Sequence, residues 1–241
     1  MSLAKPCTAV ETLDEFGLGI RVEFEWVHDR FVHTLIAIQQ GKQTRMLESA
    51  NGNPDNIYPP SPCLTELHQQ DTTLFFTGAT ATCHWSMSVE KCEADSTQKH
   101  DLLSPSMRKH SDPCERKAQQ GIRFPLQYLS FDIACRVKKW DPVLKPDLGC
   151  QYYLVKEFEN SLLEKNSEVT IKDLSPYNPV QVHLSSRGFG QPSSCHPEPN
   201  CQFSLTQAKK NYLCIEPLRQ ISDNLPATLQ WSYAVWTQIS A

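Results

Sequence analysis

The sequence predicts an all-β protein, an antiparallel β-sandwich with long loops and at most one or two short helices. Apolar and polar residues alternate one by one along several segments. This is the period of a strand with one buried face and one solvent-exposed face. Turn-forming residues separate these segments. Strands and helices do not alternate as they do in parallel α/β folds. A partly open barrel is the alternative architecture.

The first two strands are predicted to form a hairpin. Along Ile20–Trp26, apolar and charged residues alternate without interruption. The β-branched run Phe31–Ile38 follows the short polar break His28–Arg30, and two such runs around a short break are typical of a β-hairpin. Asn51–Pro62 holds several prolines, which exclude a helix and a central strand, so we expect a rigid surface loop there.

Three later segments show the same alternation of apolar and polar residues, namely Ala81–Glu90, Leu129–Val137 and Leu229–Trp236. Weaker strands are predicted at Gly149–Val155, Glu168–Ile171, Val180–Ser185 and Tyr212–Ile215. The segment Lys156–Lys165 has apolar residues at helical spacing and is predicted to form one short helix.

No boundary in the sequence divides the chain, so we predict a single β-rich domain over residues 1–241. An all-β domain can use this length undivided. Mobile inserts are expected at about residues 91–120 and 187–200, because these stretches are polar and show no strand or helix period.

Composition excludes two kinds of partner. The formal net charge is −4, and a protein that binds nucleic acid without sequence preference needs a basic surface, so we expect no nucleic-acid partner. No segment has the run of about 18 apolar residues that a transmembrane helix requires, so we expect no membrane partner. The chain is therefore predicted to be soluble.

The start of the sequence lacks the apolar run of a secretory signal, which predicts a cytoplasmic protein. In a reducing compartment most of the ten cysteines would be thiols. The alternative is an exported, disulfide-bonded form with the pairs Cys92–Cys114 and Cys195–Cys201, each closing a flexible loop.

Motifs for cofactors and metals are absent from the sequence. It contains neither of the glycine-rich phosphate-binding patterns, and its cysteines and histidines do not have the spacing of a zinc site. We therefore predict no cofactor and no metal. A nucleophile elbow is also missing, which favours a protein that is not an enzyme.

The candidate site is a polar sheet face. His84, Ser86 and Ser88 share one side of their predicted strand, and Asp132 and Arg136 share the polar side of another. If the two strands are neighbours, these five side chains form one polar surface. Trp236 is predicted on the outward side of the last strand, where an exposed ring can stack on a ligand or partner.

Three functions follow from this surface. The first is non-enzymatic binding of a small molecule or protein through the polar face and the long loops. The second is a hydrolase-like enzyme that uses His84 and Asp132, since a carboxylate beside an imidazole fixes its tautomer. The third is an exported structural module held by disulfides.

Three stretches carry a resemblance, Tyr58–Pro62, His84–Glu90 and Phe131–Arg136. They resemble an uncharacterised bacterial family of cytoplasmic proteins with no known activity. The resemblance covers the chain up to Cys150 and implies a bacterial, intracellular protein without disulfides. It implies no catalytic residue.

Overall fold

Two antiparallel sheets packed face to face make up the protein, so the predicted β-sandwich is confirmed. The computed structural model describes residues 8–50, 59–93, 127–139, 148–155, 162–165, 168–172, 180–186, 200–206, 212–218 and 225–239. All regular structure within these ranges is β-strand. Over the same ranges, no helix has the length and apolarity needed to cross a membrane.

The first sheet has seven strands. Their spatial order is β1 (Thr8–Leu13), β2 (Leu18–Val27), β3 (Arg30–Gln39), β4 (Lys42–Ser49), β9 (Cys150–Leu154), β14 (Tyr212–Pro217) and β13 (Cys201–Thr206). The predicted hairpin is β2 and β3, which pair in antiparallel register from Leu18 opposite Gln39 to Val27 opposite Arg30.

The second sheet has eight strands. Their spatial order is β10 (Leu162–Lys165), β11 (Glu168–Lys172), β12 (Val180–Ser185), β15 (Ala227–Ile239), β8 (Gln127–Val137), β7 (Cys83–Glu93), β6 (Thr73–Ala79) and β5 (Glu66–Gln70). The three strongly alternating segments of the sequence, β7, β8 and β15, are neighbours near the middle of this sheet.

The core lies between the inner faces of the two sheets. On β7 the predicted apolar row is buried, with Cys83, Trp85, Met87 and Val89 all at 2% exposure or less. The Trp85 ring meets the ring of Trp231 edge to face, with 6.3 Å between centroids. The alternation in the sequence therefore assigns the two faces of this strand correctly.

Residues 59–65, which we call the connecting segment, differ from the prediction. The part of the expected surface loop that the structure describes is not at the surface, because Pro59, Ser61 and Pro62 are buried. The remainder of that predicted loop, residues 51–58, lies outside the described residues.

The connecting segment is hydrogen-bonded to both sheets. The Phe31 backbone N–H, on β3, donates to the Leu64 carbonyl at 2.7 Å. One residue later, the Thr65 N–H donates to the carbonyl of Thr77 on β6 at 2.8 Å. The segment therefore fixes the position of one sheet relative to the other.

Gly78 is the point at which this segment passes closest to β6. A Cβ atom at position 78 would lie 1.8 Å from the carbonyl oxygen of Cys63. We expect Gly78→Ala to lower the free energy of unfolding by about 1–3 kcal/mol, the usual cost of overpacking, measured by urea denaturation. The control is Ala79→Ser on the exposed side of the same strand. Equal stability of the two variants would contradict the observed contact.

The sequence prediction differs from the structure at one predicted helix and at the end of one strand. Leu162–Lys165 is not helical but forms β10, since its backbone pairs in antiparallel register with β11; residues 156–161 lie outside the described part. Residues 91–93 are not part of a loop, because β7 continues to Glu93 and pairs there with Gln127. Residues 94–126 and 187–199, the remainder of the two predicted inserts, are also outside the described ranges.

Candidate functional site

The five predicted polar residues lie on one face, because β7 and β8 are antiparallel neighbours. His84 is opposite Arg136, and Ser88 is opposite Asp132. Their side chains point away from the core, and all except the half-buried Ser88 are exposed. We use the name outer polar face for the outward side chains at the centre of the eight-stranded sheet, which are Phe75, Thr77, His84, Ser86, Ser88, Asp132, Arg136 and Gln230.

His84 and Asp132 do not form a pair. Arg136 is the direct neighbour of His84, and Asp132 lies four residues further along β8, a distance of about 13 Å along the strand. A general base must lie within hydrogen-bond reach of the group that it serves. The register therefore gives no support to a His84–Asp132 acid–base pair.

The partner of Asp132 is Gln230 on β15. The Gln230 side-chain N–H₂ group donates to both carboxylate oxygens, at 3.2 and 3.3 Å. Sequence reasoning placed Gln230 on the polar side of its strand but could not find this contact, because the two residues are 98 positions apart. Only the pairing of β15 with β8 brings them together.

Phe75 is a member of the face that the sequence did not reveal. It is 39% exposed and lies opposite Ser88 on the outward side of β6. Its neighbour Phe76 is fully buried. The sequence Leu74–Thr77 has three apolar residues in a row, so alternation does not show which phenylalanine points outward.

Trp236 points outward as predicted, but its ring is not accessible. It is only 8% exposed and stacks on the imidazole of His183, with 5.4 Å between ring centroids and 7° between ring planes. The expectation of an exposed binding ring at Trp236 is therefore corrected. Among the described residues of this sheet, Phe75 is the large hydrophobic ring that is exposed.

The outer face of the seven-stranded sheet has a different chemistry. There the Arg21 guanidinium lies 3.4 Å from the Glu11 carboxylate and 2.9 Å from that of Glu23, and Arg45 lies 3.6 Å from Glu48. Among the described residues, no ion pair lies on the outer polar face. One sheet therefore presents paired charges, and the other presents hydroxyls, an amide, an aromatic ring and charged groups that form no ion pair with each other.

A second polar cluster is buried in the core. His33 Nε2 lies 2.6 Å from the Tyr152 hydroxyl, which in turn lies 2.5 Å from the hydroxyl of Tyr233. Burial lowers the pKa of His33 to about 3 and raises the pKa values of both tyrosines. The imidazole is therefore neutral at physiological pH, and the chain of hydrogen bonds links the two sheets.

The described cysteines are free thiols, and Cys92 and Cys201 are among them. Their partners in the alternative disulfide scheme, Cys114 and Cys195, lie outside the described residues.

The Cys135 thiol is hydrogen-bonded to Cys83 and lowers the pKa of Cys83 to about 7. Over the described ranges, no three histidine, cysteine, aspartate or glutamate side chains are placed to hold a metal ion.

The class that the fold defines is an all-β sandwich of two antiparallel sheets. Comparisons of the chain with protein-family models, with curated proteins and with solved structures found no match. The resemblance of the three short segments to a bacterial family therefore gains no support from them.

Proposed function

We propose that the protein is a non-enzymatic binding protein that holds a small polar ligand or a protein partner on the outer polar face. The observation that carries this proposal is the difference between the two outer faces. Ion pairs on the seven-stranded sheet engage five of its charged side chains, which are Glu11, Arg21, Glu23, Arg45 and Glu48. The outer polar face exposes hydroxyls, an aromatic ring and the side chains of His84, Asp132 and Arg136, none of which forms an ion pair among the described residues.

The outer polar face is also held in a fixed geometry. Its side chains stand on β6, β7, β8 and β15, which are paired along most of their lengths. Groups on paired strands lose little conformational entropy when a ligand binds, which favours affinity. The small side chains of Ser86 and Ser88 form a low strip between β6 and β8, so a ligand can approach the sheet closely.

Catalysis is the weaker candidate for this face. A nucleophile needs a base within hydrogen-bond reach. His84 has a guanidinium as its cross-strand neighbour, and the carboxylate of Asp132 already accepts two hydrogen bonds from Gln230. Among the described residues, no hydrogen bond joins His84 or Asp132 to a serine hydroxyl of this face.

We also propose that the protein acts in the cytoplasm of a bacterium. The free thiols of the described cysteines support a reducing compartment, since disulfides rarely persist there. The resemblance of Tyr58–Pro62, His84–Glu90 and Phe131–Arg136 to a bacterial family points the same way.

The binding face can be tested by NMR with ¹⁵N-labelled protein. The probes are four sets of small molecules, namely monosaccharides and disaccharides, free amino acids, dicarboxylic acids and nucleotides. We expect at least one set to shift the amide signals of Thr77, Ser86, Ser88 and Asp132. Ser88→Trp should abolish the shifts by filling the centre of the face.

The matched control is Thr34→Trp, which adds the same ring to the outer side of the seven-stranded sheet. This variant should keep the ligand-induced shifts. Shifts that survive Ser88→Trp, shifts confined to other surfaces, or a response to none of the four sets would each count against the proposed function.

A further inference from the structure

We infer that the ligand of the outer polar face is a neutral carbohydrate, with Phe75 as its stacking platform and the Asp132–Gln230 pair as its hydrogen-bonding group. This inference rests on the proposed function, because it names the chemical class of ligand for the same face. It depends on the spacing of these groups, on their hydrogen-bonding capacity and on the charge and apolar area around them.

The spacing suits one sugar unit. A single row across the sheet runs His68, Phe75, Ser88, Asp132, Ser232, one residue from each of five adjacent strands. Phe75 and Asp132 are thus two strand spacings apart, about 10 Å. Ser88 between them is small, so a sugar ring that stacks on Phe75 can extend its hydroxyl groups over Ser88 to the carboxylate.

An exposed phenylalanine ring is suited to the C–H groups of a sugar. The face of an aromatic ring carries partial negative charge, and the C–H groups on one side of a pyranose carry partial positive charge. Phe75 is 39% exposed and stands on a paired strand rather than on a loop. Its ring therefore offers a firm apolar platform beside polar groups.

The Asp132–Gln230 pair suits neighbouring hydroxyl groups. Gln230 holds the carboxylate through both oxygens, while each oxygen keeps a further lone pair for a ligand hydroxyl. The Gln230 carbonyl is a third acceptor, and its amide hydrogens are donors. A sugar hydroxyl both donates and accepts, so adjacent hydroxyls can satisfy both members of the pair.

The charge beside the proposed contacts favours a neutral ligand over an anionic one. On β5 to β8 the outward ionised side chains are three carboxylates and one guanidinium, belonging to Glu66, Glu90, Asp132 and Arg136. Asp132 is the one charged group among the proposed sugar contacts, and its carboxylate repels a phosphate or uronate placed there, whereas Arg136 lies four residues further along β8. A neutral polyol meets no such repulsion.

Apolar area argues against a protein partner. The centre of a protein–protein interface is largely apolar and rich in aromatic residues. Among the described outward residues of β5 to β8, Phe75 is the one large hydrophobic side chain that is exposed. One aromatic ring among hydroxyls is too little for such a centre, but it is sufficient to stack on one sugar.

The test is affinity electrophoresis in native gels that contain hydroxyethylcellulose, xylan or galactomannan, with the polyuronate alginate as the anionic comparison. We expect at least one neutral polysaccharide to retard the protein and alginate not to do so. Phe75→Ala and Asp132→Asn should each weaken the retardation at least about tenfold in dissociation constant, the loss expected from removing one charge-assisted hydrogen bond or one stacking contact.

Leu13→Ala is the matched control, because Leu13 is 44% exposed but lies on β1 of the other sheet. It should bind as the wild type does. Circular dichroism checks that each variant is folded. Retardation by none of the neutral polysaccharides, or retardation that Phe75→Ala leaves unchanged, overturns the carbohydrate inference.

The NMR experiment separates the two levels of the proposal. If the polysaccharides fail while amino acids, dicarboxylic acids or nucleotides still shift the signals of the outer polar face, the carbohydrate inference is overturned and the proposed function stands. If no probe shifts those signals and no polysaccharide retards the protein, both are overturned.

Discussion

Trp85→Ala is expected to lower the free energy of unfolding by about 3–5 kcal/mol, the usual cost of emptying a buried tryptophan site. Trp85 is 2% exposed on the inner side of β7 and meets Trp231 edge to face. The substitution leaves a cavity in the centre of the sandwich that neighbouring side chains on paired strands cannot fill by moving. Guanidinium denaturation of the purified variant measures the loss.

Ser86→Ala is the control for this substitution. Ser86 is the next residue of β7 but points to solvent, so we expect a change within about 0.5 kcal/mol. If the tryptophan variant lost less than about 1 kcal/mol, far below the cost of a buried aromatic site, the assignment of the inner face would be wrong.

Acid is expected to destabilise the protein through His33. Burial lowers the pKa of this histidine from 6.5 to about 3 in the folded state. Above pH 6.5 neither state binds the proton. Below pH 6.5, His33 binds a proton in the unfolded chain but stays neutral in the folded protein. The free energy of unfolding therefore falls as the pH falls.

The loss is about 1.4 kcal/mol per pH unit for one proton. It begins near pH 6.5 and ends near pH 3, where the folded protein binds the proton too, so the whole interval amounts to about 5 kcal/mol. Urea denaturation at pH 7.5, 6, 5 and 4 measures it. Asp29, whose pKa Arg30 lowers by a hydrogen bond, adds to the loss below the usual pKa of an aspartate.

His33→Gln isolates the histidine from the carboxylates. An amide at this position can still bond to the Tyr152 hydroxyl but does not titrate, so the stability of the variant should fall less steeply between pH 6.5 and 4. Ser86→Ala, which removes no titratable group, is the control, and its curve should run parallel to that of the wild type. Equal slopes for His33→Gln and the wild type would remove His33 as the source of acid sensitivity.

Alternation predicted the faces of β2, β7 and β8 because each of these strands has one side toward solvent. An antiparallel sheet with one solvated face imposes this period on its sequence. In β3 the period is hidden. Its residues Leu35 to Ile38 are all buried, and a register shift between Leu35 and Ile36 interrupts the alternation. The direction of His33 could not be read from such a run.

The composition of the outer polar face was only partly predictable. His84, Ser86 and Ser88 follow from the period of one strand, but their neighbours depend on which strands pair and in what register. Phe75 joins the face through the pairing of β6 with β7, and Gln230 joins it through β15 and β8. Pairing between distant segments is set by the whole fold, so a local pattern does not reveal it.

The place of β15 in its sheet has a consequence for how the chain is made. This strand lies between β8 and β12, although the ribosome synthesises it after all the other described strands. Until then, β8 and β12 each expose an unpaired edge, and such edges pair readily with other chains. The nascent protein therefore passes through a stage in which its larger sheet is split in two, and a chaperone that covers strand edges would raise its yield.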